Sequence, residues 1–123
     1  MSAILTVDDS RLMRRIIGSV IESLGYTALE ASNGLEGLSL VEKSLGQVAL
    51  IVLDVNMPVM DGFAALERLK SDARFQRIPV IMVTTESERE NIIRAIRLGA
   101  ANYVTKPFTS DELACKILES IDA

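Results

Sequence analysis

The chain has 123 residues, 49% of them hydrophobic, with 13 Lys and Arg against 17 Asp and Glu for a net charge of −4. That length fits one domain, residues 1–123, with a sizeable core, and the acidic balance disfavours nucleic acid, whose phosphates select basic patches. The absence of histidine and the single cysteine exclude Ser-His-Asp and Cys-His catalysis, the usual zinc sites and an internal disulfide.

The first predicted element is a strand near 3–7, whose apolar run Ile4-Leu5-Thr6-Val7 leads straight into Asp8-Asp9. A helix over 11–24 follows. Its apolar stripe is Leu12, Ile16, Val20 and Leu24, and Gly25 stops it. Arg14 and Arg15, like Arg94 and Arg97 further on, read as solvated helix faces. A strand near 27–31 and a helix near 34–45, ended by Gly46, come next. The strand near 49–54 carries Leu50-Ile51-Val52-Leu53 and terminates in Asp54. The loop Asn56-Met57-Pro58-Val59-Met60-Asp61-Gly62 leads to a helix over 62–72, which Asp61 is placed to cap.

The strand near 79–84 ends at Thr84-Thr85. A helix over 87–98 opens with the capping box Ser87-x-x-Glu90 and ends at Gly99. The last strand, near 102–105, runs into Lys106-Pro107-Phe108. The residue before proline is held out of the helical region, and a cis peptide is accessible there. The final helix, 110–120, opens with the box Thr109-x-x-Glu112 and holds Cys115, expected to be packed or half-packed. The start, Met1-Ser2-Ala3, has no signal-peptide pattern and no apolar run spans a membrane, so a soluble, cytoplasmic protein is expected.

Strands alternating with helices favour a parallel sheet covered on both faces. In such α/β sheets ligands bind beyond the carboxyl ends of the strands. Asp8, Asp9, Asp54 and Lys106 all stand at strand ends, so the pattern gathers them at one edge. Three carboxylates in one place repel each other unless a cation joins them, and a hard metal such as Mg²⁺ prefers oxygen ligands. Each residue also has a plainer role. Taken alone, Asp8-Asp9 reads better as a helix cap, Asp54 can begin a turn, Thr84 suits a strand and Lys106 can be a surface charge.

The segments Val7-Asp8-Asp9-Ser10, Leu53-Asp54-Val55-Asn56-Met57-Pro58, Met60-Asp61-Gly62, Val83-Thr84 and Lys106-Pro107-Phe108 resemble, in order and spacing, the receiver domain of bacterial two-component response regulators. The resemblance covers essentially the whole chain. Met13-Arg14-Arg15, Asn56, Glu90-Asn91-Ile92-Ile93 and Tyr103-Val104 are similar to the chemotaxis regulators of the CheY type. It implies a flavodoxin-like, doubly wound α/β fold, a five-stranded parallel sheet of order 2-1-3-4-5 with five helices.

The same resemblance implies roles. Asp54 becomes the phosphoacceptor. Asp9 and Asp54 bind Mg²⁺ directly with the Asn56 carbonyl, and Asp8 acts through a metal-bound water. Thr84 and Lys106 contact the phosphoryl oxygens. Tyr103 moves between outward and inward positions, and Arg89, Ile92, Tyr103 and Lys116 lie on the face offered to a flagellar motor switch protein. A CheA-like sensor histidine kinase supplies the phosphoryl group, and a phosphatase is a further partner. Neither nucleic acid nor membrane is expected as a partner, and a monomer is expected. Asn56 and Glu86 are the side chains expected to tune water access.

Two positions depart from the CheY pattern. Thr85 stands where alanine is usual and is expected to bias Tyr103, and Val55 replaces a tryptophan. A phosphorelay intermediate of the same fold is the alternative within the family, and three other readings compete. A haloacid-dehalogenase-like phosphatase wants Asp where Asn56 stands. A flavin carrier wants a hydroxyl-rich phosphate loop and more aromatics than 4%. A phosphate-independent adaptor has no need of an intact acid pocket.

Overall fold

The computed structural model describes residues 2–85 and 89–121. Among them are five strands and five helices in strict alternation. They are β1 (Ala3–Val7), α1 (Arg11–Ser23), β2 (Thr27–Ala31), α2 (Gly34–Lys43), β3 (Val48–Asp54), α3 (Gly62–Ser71), β4 (Val80–Thr85), α4 (Arg89–Arg97), β5 (Asn102–Lys106) and α5 (Ser110–Ile121). The strands form one parallel sheet in the order β2-β1-β3-β4-β5, as the resemblance implies.

The apolar runs in β1, β3 and β4 become buried because side chains alternate between two covered faces. Leu5, Val7, Ile51, Leu53 and Met82 pack on one face with residues of α2, α3 and α4. Ile4, Leu50, Val52, Ile81, Val83 and Val104 pack on the other against α1 and α5. The first strand of the sequence lies inside the sheet, between β2 and the central β3, and every strand delivers its carboxyl end to the same edge.

The helix starts are set by side-chain caps. Ser10 caps α1 by accepting from Met13 N–H at 3.1 Å, Asn33 caps α2, and Asp61 caps α3 through Ala64 N–H at 2.9 Å. Thr109 Oγ1 accepts from Glu112 N–H at 3.1 Å before α5. Ser87, half of the other expected box, lies outside the described residues, as does Glu86.

Three expectations need correction. The cap of α1 is Ser10 rather than the acid pair, because only Ser10 reaches the Met13 amide. Leu12 and Ile16 are exposed, and the buried stripe of α1 is Ile17, Val20 and Ile21, flanked by Met13 and Leu24. The i, i+4 spacing of Leu12 and Ile16 fits a helix face but does not say which face meets the sheet. Cys115 is exposed, on the outer side of α5 away from the buried Leu113 and Ile117.

The loop after β3 holds one strained residue. Val59 has φ 71°, a left-handed conformation that a β-branched side chain tolerates poorly. Val59 is also 75% exposed, so its side chain contributes little packing. Val59→Asn is expected to raise stability by about 1 kcal/mol, or about 4 °C in melting temperature. Thermal denaturation by circular dichroism measures it, and an unchanged or lower melting temperature would show that the strain is absent.

Candidate functional site

At the carboxyl edge of the sheet, the ends of β1, β3 and β5 bring three carboxylates and an ammonium together. One carboxylate oxygen each from Asp8, Asp9 and Asp54 lies within 4.8 Å of the other two. Asp8 and Asp54 are only 1% and 5% exposed, whereas Asp9 is open to solvent. Lys106 Nζ donates to Asp54 Oδ1 at 3.2 Å and pairs with Asp8 Oδ2 at 3.6 Å. The Lys106–Pro107 peptide is cis.

Burial pushes the Asp54 carboxyl up to about 6. The Asp8 charge adds to that rise, Lys106 opposes it, and Asp9 adds a smaller increment. Burial pulls the Lys106 ammonium down, but the carboxylates of Asp54 and Asp8 outweigh it and the net direction is up. The pocket thus holds more negative charge than Lys106 offsets.

That imbalance suits a small divalent cation. Asp8 Oδ2 is buried and has no hydrogen-bond partner among the described residues. The donor set is all carboxylate oxygen, the hard ligand type that Mg²⁺ selects over softer metals. The residues therefore fit Mg²⁺.

The backbone around the acids is tightly held. Asp8 N–H donates to Ala31 O at 3.1 Å, and Ser10 N–H donates to Asp8 Oδ1 at 2.9 Å. Val55 N–H donates to Val83 O, and Gly62 N–H donates to Val55 O at 2.9 Å. Gly62 lies so close to β3 that a Cβ there would stand 2.2 Å from the Asp54 carbonyl oxygen. Gly62 is thus the residue that lets α3 begin directly against the end of β3.

The other expected site residues are spread around this centre. Asn56 is exposed in the loop two residues past Asp54. Thr84 is buried at the end of β4, its hydroxyl without a hydrogen-bond partner among the described residues. By register it shares a sheet face with Thr105, and Met82 with Tyr103, while Thr85 pairs with Lys106 on the opposite face. Val55 is buried in the core under α3. Tyr103 and Lys116 line a surface groove of about 460 Å³ with Glu112 and Cys115, and Lys116 Nζ stands 5.1 Å over the Tyr103 ring. Arg89 is exposed and Ile92 half-buried on α4.

Of the four arginines expected to be solvated, Arg15, Arg94 and Arg97 are exposed and Arg14 is not. Arg94 stacks on Phe63 with its guanidinium 4.3 Å from the ring centre. Arg14 is largely covered and bonds to both Asp8 O and Glu30. Charge pattern alone does not show these contacts, because Glu30 and Phe63 reach the two arginines only in the folded chain. Among the described residues, no helix is long and apolar enough to cross a membrane.

Comparison with known proteins agrees with this architecture. Residues 4–118 match the model of the response regulator receiver domain. The chain is 40% identical over 115 residues to chemotaxis protein CheY1 of Helicobacter pylori, covering 93% of this chain and 92% of that protein. It is 38% identical to the chemotaxis protein CheY homolog of Campylobacter jejuni, covering 93% and 88%. Among solved structures, the chemotaxis response regulator CheY4 of Vibrio cholerae superposes with a TM-score of 0.88 at 30% identity, covering 97% of this chain and 98% of that one. With fold, acid edge and relatives in agreement, this chain belongs to the response regulator receiver domain family, and its similarity is to CheY proteins.

Proposed function

We propose that the chain is a stand-alone response regulator of chemotaxis, a single receiver domain in which Asp54 accepts a phosphoryl group from a partner histidine kinase. The observation that carries this reading is the convergence of Asp8, Asp9, Asp54 and Lys106 at one sheet edge. An Asp54 carboxylate oxygen attacks the phosphorus of a phosphohistidine. The P–N bond breaks, and its electron pair leaves with the imidazole of the kinase. The products are an aspartyl phosphate and a free histidine on the partner.

Asp9, Asp54 and the Asn56 carbonyl would hold Mg²⁺, with Asp8 acting through a metal-bound water. When bound, Mg²⁺ supplies positive charge against the phosphoryl oxygens as they move onto the carboxylate. Lys106 is already directed at Asp54 Oδ1 and meets a phosphoryl oxygen with a compact ammonium. Thr84 offers its unpartnered hydroxyl as a donor to another. The chemistry is performed on the chain itself, without turnover of a separate substrate.

Phosphorylation then changes the face made by α4, β5 and α5. Thr84 is drawn toward the phosphoryl group, Tyr103 relocates, and the face bearing Arg89, Ile92, Tyr103 and Lys116 shifts its affinity for a partner. The CheY relatives support chemotaxis as the setting, with the flagellar switch or a phosphatase as the partner.

The test is intact mass after incubation with acetyl phosphate and Mg²⁺. One phosphoryl adduct is expected, absent in Asp54→Asn and absent with EDTA. An unmodified wild-type mass under all conditions overturns the reading.

A further inference from the structure

Arg14 is buried for a surface-helix arginine, its side chain 16% exposed. Its Nη1 donates to the Asp8 carbonyl oxygen at 2.7 Å, and its Nε donates to Glu30 Oε1 at 3.0 Å. That carbonyl belongs to the peptide joining Asp8 to Asp9. The amide before it is fixed by Ala31 O, and the Asp8 side chain is fixed by Ser10 N–H. Arg14 therefore holds the remaining peptide of the acidic turn, whose plane sets the direction in which Asp9 leaves the backbone.

Glu30 gives this arrangement its second purpose. An unpaired guanidinium behind a cation site would repel the cation. Pairing with Glu30, on β2, neutralises it while keeping its planar donors aimed. The pair thus orients the acidic turn without adding net charge to it.

We propose that Arg14, bridged to Glu30, is a positioning residue that sets the Mg²⁺ affinity of the acid pocket by fixing the Asp8–Asp9 peptide. This rests on the reading of Asp8, Asp9 and Asp54 as a Mg²⁺ site. Groups that orient metal ligands are worth about 10- to 100-fold in metal affinity. Arg14 acts on the peptide and not on a carboxylate, so about fivefold is expected, below that range.

Charge and positioning make opposite predictions, which makes the experiment decisive. Mg²⁺ alone is titrated into the apo protein by isothermal calorimetry, for wild type, Arg14→Lys, Arg14→Met, Arg14→Met/Glu30→Gln and Asp9→Asn, with melting temperatures recorded in EDTA. Positioning requires weaker Mg²⁺ binding in all three Arg14 variants, by about fivefold in Arg14→Met. A pure charge effect leaves Arg14→Lys and the charge-neutral double variant at wild-type affinity and makes Arg14→Met bind more tightly. A merely structural role lowers melting temperature with Mg²⁺ affinity unchanged. Either of those two results overturns the proposal. A wild type that binds no Mg²⁺, or an Asp9→Asn variant that binds it equally well, overturns instead the site reading on which the proposal stands.

Discussion

Gly62→Ala is expected to lower stability by about 3 kcal/mol, or about 10 °C in melting temperature. An alanine Cβ would stand 2.2 Å from the Asp54 carbonyl oxygen and 2.9 Å from both the Asp54 carbonyl carbon and Val55 Cα. Those atoms are backbone, held by the β3–β4 pairing and by the Val55 N–H to Val83 O bond. No flexible side chain can yield. Either α3 lifts off the sheet, breaking the Gly62 N–H to Val55 O bond, or the end of β3 bends away with Asp54. Both routes move Asp54, the proposed acceptor, so the rate of acetyl phosphate labelling there should fall with stability. Urea denaturation and labelling measured together check this. A variant within about 1 kcal/mol of wild type that labels normally would show that the loop absorbs the methyl group.

A second large effect is a gain. In the absence of metal, Asp54→Asn is expected to stabilise the fold at neutral pH. The Asp54 carboxyl moves from an ordinary value of 3.8 to about 6, chiefly through burial and then through Asp8. Between those values the native state keeps a proton that the unfolded chain has released. Stability therefore falls as pH rises from about 4 to 6, and the full cost, about 3 kcal/mol, persists above pH 6. Asparagine cannot ionise, and its side-chain oxygen can still accept from Lys106. The expected gain is about 10 °C at pH 7.5 in EDTA, shrinking toward zero near pH 4. Thermal melts across that pH range test it. A gain that is constant with pH would assign the stabilisation to packing or amide hydrogen bonding and remove ionisation as the cause.

Most of this arrangement is legible in the sequence for one reason. Buried parallel strands need continuous apolar runs, so a charge at the end of such a run marks the edge of the sheet. Leu50-Ile51-Val52-Leu53-Asp54 carries both pieces of information at once. The resemblance supplied the strand order, which local pattern alone does not contain. What escaped was whatever depends on rotation about a helix axis or on a distant partner. Leu12 and Ile16 looked buried because they are apolar and correctly spaced, but α1 turns Ile17 and Ile21 to the sheet. Arg14 looked solvated because its acceptors, Asp8 O and Glu30, meet it only when β1 and β2 pair. Ser10 was hidden by two stronger-looking candidates beside it, although only its hydroxyl reaches the Met13 amide.

The five strands also act as a partition. Alternation sends Asp8, Asp54 and Lys106 toward the α1 and α5 layer, while Thr84 and Tyr103 belong to the layer of α2, α3 and α4. Two packed layers thus lie back to back across the hydrogen-bonded backbone and come together at the strand ends. Substitutions in one compartment should be felt first on their own side. The outer edge of the sheet at β5 is one of two seams where both compartments reach the surface together, with α4 from one and α5 from the other. A slight slip between the layers, invisible inside either, would register there as a change in the gap between α4 and α5.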